Sequence, residues 1–233
     1  MKTIILCILT LCLVGTASGE DYQPLATGNF WSYFIDDGPV EMRVVGEQVP
    51  IFDSQTYPIE YTMSPNDPGL INYWTSEDDG GVLLWGFWRQ TWGILYDPPI
   101  ITVDAPLYVG KTWTSTVDLY ALPDTTFYMT MEFTFTAHED PVLTVPAGEF
   151  ATFGIGSPDP GPGAKTFLDG RYTLSGEAKT DQRYQVDRWY SLGVGVVQEY
   201  LGSIYQLRTY TDHPVAVESS SWGAVKALYR GAE

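Results

Sequence analysis

Phe127, Met129, Met131, Phe133 and Phe135 alternate without a break with Tyr128, Thr130, Glu132, Thr134 and Thr136, and no other feature narrows the possible folds so far. Successive side chains of an extended strand leave on opposite faces, so a strict period of two describes a strand with one buried and one hydrated face. The same period sets Ile59, Tyr61 and Met63 inward against Glu60, Thr62 and Ser64. It also sets Trp113, Ser115, Val117 and Leu119 inward against Thr114, Thr116 and Asp118. Between such runs stand Asp37-Gly38, Asp79-Gly80 and Asp169-Gly170, where glycine accepts the positive φ of a tight hairpin turn. Strands with one wet face and short turns pair antiparallel. The expected fold is therefore all-β, antiparallel meanders forming a curved sheet or partly open barrel.

A spaced motif divides this β-domain. Pro24-Leu25-x-x-Gly28-x-x-Trp31 recurs as Pro106-Leu107-x-x-Gly110-x-x-Trp113, each copy opening a long strand run. Residues 20–217 are thus expected to hold two related halves starting near 24 and 106. Proline and glycine would shape the lead-in loop, leucine would plug the sheet end, and tryptophan would be the first large core anchor. Ser157 to Gly163 carries three prolines and cannot continue a sheet, because each removes a ladder donor. Residues 218–233 form a short helical tail in this reading, capped by Ser219-Ser220-Ser221 with Trp222, Val225, Leu228 and Tyr229 at helical spacing.

Residues 1–19 have the form of an export signal. Lys2 supplies the positive start, Ile4 to Val14 the apolar run, and Ala17-Ser18-Gly19 the small residues before a cut ahead of Glu20. The mature chain is then periplasmic or extracellular. Both cysteines, Cys7 and Cys12, fall inside this signal, and Cys12 follows Leu9-Thr10-Leu11, a poor context for lipid attachment. Stability must come from the core and not from disulfides. No later segment reaches the roughly 18 apolar residues of a membrane helix, so no span is expected after signal removal. With 29 acidic residues against 12 basic ones, net charge −17, the chain lacks the basic footprint of a nucleic-acid binder.

Catalytic constellations are sparse. The mature chain has no cysteine and no Gly-x-Ser-x-Gly elbow, and only His138 and His213 to act as a base. His138-Glu139-Asp140 reads as solvated polarity at a strand end. Glu60, Asp97, Asp187 and Glu199 lie near or within apolar runs and are the carboxylates to inspect for a hydrolase, although nothing in their spacing selects a pair. Glu77, Asp78 and Asp79 precede Gly80-Gly81 and concentrate oxygen ligands that calcium could bridge, without the ligand spacing of a helix-loop-helix site. The richest cluster is aromatic: Tyr73, Trp74, Trp85, Phe87, Trp88, Trp92 and Tyr96. A regular strand over Val82 to Trp88 is apolar on both faces and sends Trp85 and Trp88 to opposite sides. Trp74, Trp85, Trp88, Trp92 and Tyr96 are accordingly the expected ligand contacts.

Three stretches also resemble a known group. They are Tyr22-x-Pro24-Leu25-x-x-Gly28-x-x-Trp31-x-Tyr33, Val145-Pro146-Ala147-Gly148-Glu149-Phe150, and Trp189-Tyr190-x-x-Gly193-Val194-Gly195-Val196-Val197. Together they resemble uncharacterised exported bacterial β-rich proteins, some of them similar to the incomplete barrel of periplasmic lipoprotein carriers. The resemblance implies a fold and no catalytic residues. Within Val145 to Phe150 a strand ends, turns and restarts, with Phe150 returning to the core and Glu149 in water; Gly193 and Gly195 permit close backbone approach or a bulge. The expected function is non-catalytic binding or carriage of an apolar or amphipathic partner. An envelope module for protein or glycan is the alternative, and a carboxylate hydrolase the third.

Overall fold

A computed structural model describes residues 21–36, 38–63, 69–156, 187–201 and 203–211. The export signal, the proline-rich stretch 157–163 and the helical tail expected at 218–233 lie outside the described residues. Among those described, every regular element is a strand. In chain order they are β1 (Phe30–Ile35), β2 (Val40–Val45), β3 (Val49–Ile51), β4 (Ser54–Thr62), β5 (Leu70–Ser76), β6 (Val82–Arg89) and β7 (Trp92–Val103). There follow β8 (Thr112–Leu122), β9 (Thr126–Glu139), β10 (Val142–Val145), β11 (Gly148–Ala151), β12 (Phe153–Gly156), β13 (Asp187–Ser191), β14 (Gly195–Tyr200) and β15 (Ile204–Tyr210).

The strands pair antiparallel in the order β2, β1, β15, β14, β13, β12, β9, β8, β7, β6, β5, β4, with β3 added beyond β4. β2 also pairs with β4, from Met42 opposite Thr62 to Val45 opposite Ile59, and this joins the two edges into a closed twelve-stranded barrel. The curved sheet or partly open barrel expected from the sequence is therefore corrected to a closed one. The closure comes from a detour: after Val45 the chain leaves through Gly46, whose amide donates to Pro58 O at 2.8 Å, and returns through β3 onto the start of β4. Periodicity reports which face of a strand is buried, and it carries no information about which edge meets which.

The barrel strands divide evenly at the second copy of the spaced motif. Strands β1, β2, β4, β5, β6 and β7 precede it, and β8, β9, β12, β13, β14 and β15 follow. Each set leaves the barrel after its second strand, once through β3 and once through the β10–β11 hairpin. The two lead-in loops make the same bonds. Gly28 and Gly110, at φ 89° and 91°, donate to Val45 O at 2.8 Å and Ala137 O at 2.6 Å. Asn29 N reaches Ala26 O at 2.9 Å, as Lys111 N reaches Tyr108 O at 3.0 Å. Trp31 and Trp113 are both buried, and their indole N–H groups donate to the Val194 and Ile101 carbonyls.

Side chains pointing into the barrel form one core, anchored by Trp31, Tyr33, Ile59, Tyr61, Trp74, Leu84, Phe87, Tyr96, Leu119, Phe133, Tyr190 and Leu207. Outward, β8 and β9 pair Thr112 with Thr136 and Thr114 with Thr134, while Thr130 donates to Asp118 at 2.6 Å. Threonines and acids on these outer faces are the reverse of the apolar outer band of a membrane-spanning barrel. The Val145 to Phe150 motif is a hairpin as its residues imply. Phe150 packs on the core and meets Tyr210 at 6.0 Å between ring centroids, and Glu149 is exposed. At Gly195, φ 96°, an added Cβ would lie 3.3 Å from the Trp31 indole nitrogen, so this glycine lets the β14 backbone meet that ring.

Candidate ligand site in the barrel interior

Inward positions of β5 are Leu70, Asn72 and Trp74, set between Tyr61, Ile59 and Tyr57 on β4 and Arg89, Phe87 and Leu84 on β6. Asn72 is fully buried, and its flanking partners Ile59 and Phe87 are apolar and equally buried. Among the described residues neither its Oδ1 nor its Nδ2 has a hydrogen-bond partner, and the buried Trp74 Nε1 has none either. Four other indoles contrast with it. Trp31, Trp113, Trp85 and Trp189 donate to Val194 O, Ile101 O, Thr75 Oγ1 and Glu139 Oε1 at 2.6, 2.8, 3.0 and 2.7 Å. A buried amide or indole N–H without a partner carries its full desolvation penalty. Two such residues, adjacent on one face of β5, are therefore interior positions whose polar groups the described side chains and backbone leave unmet.

A second polar feature crosses the interior. Arg43 on β2 donates through Nε to Glu41 Oε1 and through Nη2 to Glu199 Oε2, both at 2.7 Å, and Arg188 Nε donates to Glu199 Oε1. All four residues are buried. The Arg43 guanidinium lies over the Tyr33 ring at 4.0 Å from its centroid and faces Tyr61 at 5.0 Å. Burial pushes the Tyr33 phenol well above the ordinary tyrosine range, against the opposing pull of Arg43, and its hydroxyl donates to Val196 O at 2.7 Å. Tyr190 is raised for the same first reason, against Arg188. Two positive and two negative side chains balance, so the network stitches β2 to β13 and β14 and leaves the interior without net charge from these groups.

Of the carboxylates expected from the sequence whose side chains are described, only Glu199 is placed in the interior, and guanidinium donors hold both its oxygens. Glu60 pairs across from Val44 and Ile71 on the outer face, and Asp97 is exposed opposite Asp118. The Asp187 side chain lies outside the described residues. Glu41, Arg43 and Arg188 have no signal in the sequence. In Val-Glu-Met-Arg-Val-Val, hydropathy alternation would turn Met42 and Val44 inward, whereas Glu41 and Arg43 are the buried pair.

The aromatic cluster is divided by the wall. Trp74 and Tyr96 are buried inside; Trp92, 40% exposed, stands at the rim with its ring edge-on to Phe87 at 5.1 Å. Trp85 and Trp88 do not take opposite faces as a regular strand requires. Leu84 pairs with Trp74 and Phe87 with Asn72, so two inward residues are separated by three positions, and a bulge at Trp85-Gly86 absorbs the extra residue. Both indoles consequently lie on the outer face, where Trp85 meets Thr75. Gly86, at φ 149°, makes the bulge possible: an added Cβ would fall 2.3 Å from Ile94 O.

Glu77, Asp78 and Asp79 form the β5–β6 turn. Glu77 N donates to Gly81 O, Gly80 N to Glu77 O, and Asp79 Oδ1 accepts from Gly81 N at 3.0 Å. Among the described residues no group of three or more histidine, cysteine, aspartate or glutamate side chains is arranged to hold a metal. His138 sits half-buried on β9, and His213 lies outside the described residues.

No protein family and no curated protein matches the chain. Among solved structures, a protein of Bacteroides fragilis described as exported, with a YmcC-like fold, aligns with 81% of this chain and 97% of its own length at 13% identity, TM-score 0.41. A protein of Parabacteroides distasonis described as a lipoprotein aligns over 83% of this chain and 99% of its own, also at 13% identity, with a TM-score of 0.39. Neither defines a family for the chain at these values, and its function has to be read from its own residues.

Proposed function

We propose that this chain is an exported, non-catalytic binding protein that carries an apolar or amphipathic partner inside its barrel, in the periplasm or outside the cell. The observation that carries the reading is the pair of polar side chains, Asn72 and Trp74, that lack a hydrogen-bond partner among the described residues, set between apolar neighbours in a barrel whose buried ion pairs balance one another. Barrel width supports it: interiors of about eight strands are filled by side chains or hold one small ligand, and width grows with strand number. Native mass spectrometry of the protein purified from its own host tests it. A co-purifying small molecule is expected, released when the barrel unfolds. A bare protein whose tryptophan emission also ignores added apolar probes would refute it.

An exposed aromatic row favours a second reading, an envelope module that binds protein or glycan on its surface. Phe52 and Tyr120 meet at 6.0 Å, Tyr120 and Phe127 at 6.0 Å, and Phe52 and Phe127 are 44% and 54% exposed. Such rings stack well on sugars. Loss of glycan or partner binding in Phe127→Ala, with the interior ligand retained, would select it. A hydrolase draws no such support: among the described residues, the interior carboxylate flagged by the sequence, Glu199, is committed to Arg43 and Arg188.

A further inference from the structure

If the interior carries a ligand, as proposed above, the wall also specifies that ligand's polar end. We infer that it is a neutral group offering both a hydrogen-bond donor and acceptors, as a carboxamide does, and that it is held by Asn72 and Trp74. The count follows from the unmet groups. Asn72 presents two amide N–H donors and a carbonyl acceptor, and Trp74 presents one N–H donor. A plain hydrocarbon would leave all of them unmet, and a bare carboxylate would leave Asn72 Oδ1 facing another acceptor. A carboxamide meets the Asn72 amide reciprocally, donating to Oδ1 and accepting from Nδ2. Its oxygen retains a second lone pair for the Trp74 N–H. The two residues leave β5 on one face, about 7 Å apart along the strand.

Neutrality follows from the surroundings. Asn72 sits between Ile59 and Phe87, both fully buried, with no charged side chain as its direct cross-strand partner. Arg43 and Arg188 are matched by Glu41 and Glu199, and Arg89, half-buried at the end of β6 opposite Leu70, is engaged in an interaction of its own. A charged head group at Asn72 would be buried without a counter-ion. The remainder of the ligand is apolar, because inward neighbours on β4, β6 and β7 include Ile59, Leu84, Phe87 and Ile94.

The test titrates three probes of equal chain length, a long-chain primary amide, the fatty acid and the alkane, into the ligand-stripped protein, with tryptophan emission and calorimetry as readouts. The amide is expected to bind about tenfold more tightly than the alkane, the equivalent of one good buried hydrogen bond, and more tightly than the acid. Asn72→Leu should abolish that preference while alkane affinity stays within about twofold. Trp74→Phe keeps the ring and removes only the N–H, so it serves if Asn72→Leu does not fold; it should weaken amide binding several-fold and leave the alkane unchanged. Equal binding of all three probes, unaffected by either variant, would overturn the inference and leave the carrying role standing, with buried water satisfying these groups. Preference for the acid would overturn it in favour of a cationic head-group site. Binding of none would remove the carrying role and this inference together.

Discussion

Removing the Glu199 carboxylate should unfold the balance of the barrel interior. Glu199 is fully buried and receives both Arg43 and Arg188, while Glu41 holds Arg43 from the other side. In Glu199→Ala the Nη2 of Arg43 and the Nε of Arg188 both lose their carboxylate acceptor in a buried site. Breaking a buried ion pair in this way costs about 3–5 kcal/mol, a large share of the 5–15 kcal/mol that holds a typical domain. At a urea dependence of roughly 2 kcal/mol per molar, the unfolding midpoint should fall by about 2 M with little change in slope. A second variant separates charge from lost packing. Adding Arg188→Ala leaves Glu41 and Arg43 as a balanced pair, so the double variant should be less destabilised than the sum of the singles, by about 0.5–3 kcal/mol. A loss below about 1 kcal/mol, or strict additivity, would mean that the four groups reach water and do not act as one buried network. The attraction is not a general argument for ionic cores: four well-packed apolar residues in their place should be about neutral in stability.

Alkaline titration should leave Tyr33 and Tyr190 silent. Burial raises the folded-state values of Tyr33 and Tyr190 above the unfolded value of about 10, so their contribution is complete below that pH and is lost as pH rises towards the folded values, because the unfolded chain ionises first. Phenolate absorbance should therefore lack these two until the barrel unfolds; their titration with the exposed tyrosines would contradict the burial argument. Gly86→Ala forces a Cβ to within 2.3 Å of Ile94 O at φ 149°, so backbone strain of about 1–3 kcal/mol adds to the clash and thermal melting should drop sharply. An unchanged melting temperature would show that the bulge is not needed. Trp31→Ala and Trp113→Ala should each cost about 3–5 kcal/mol in denaturant unfolding, and a much smaller loss at either would break the equivalence of the two lead-in loops.

Much of the interior site was illegible for specific reasons. Trp74 and Tyr96 were singled out because aromatics cluster there, and both do face inward. Asn72 carries no signal, since one asparagine in an apolar strand looks like a turn residue or an outward one until its neighbours on β4 and β6 are known. Glu199 was visible as a carboxylate in an apolar run, but the partners of its oxygens were not: Arg188 stands opposite it on the neighbouring strand β13 only once the register is known, and Arg43 comes from β2, far away in the chain. The Trp85 and Trp88 assignment failed at one residue. A bulge advances the side-chain alternation by one position, and its cause, the close approach of Ile94 O to Gly86, is a contact between strands.

The sequence alone determined the all-β class, the inward faces of β8 and the later part of β9, and the two lead-in loops opened by Pro-Leu-x-x-Gly-x-x-Trp. Each rests on residues close together in the chain: alternation records which face of a strand is wet, and glycine spacing records where φ must be positive. Only the tertiary structure decided that the sheet closes, that Glu41 and Arg43 turn inward against their own hydropathy, and that Asn72 and the Trp74 indole find no partner among the described residues. These outcomes depend on which edges pair and on what lies opposite each side chain. Edge pairing is set by the return of β4 beside β2 after the β3 detour, and the burial of a charge is settled by whether its counter-charge arrives from a distant strand.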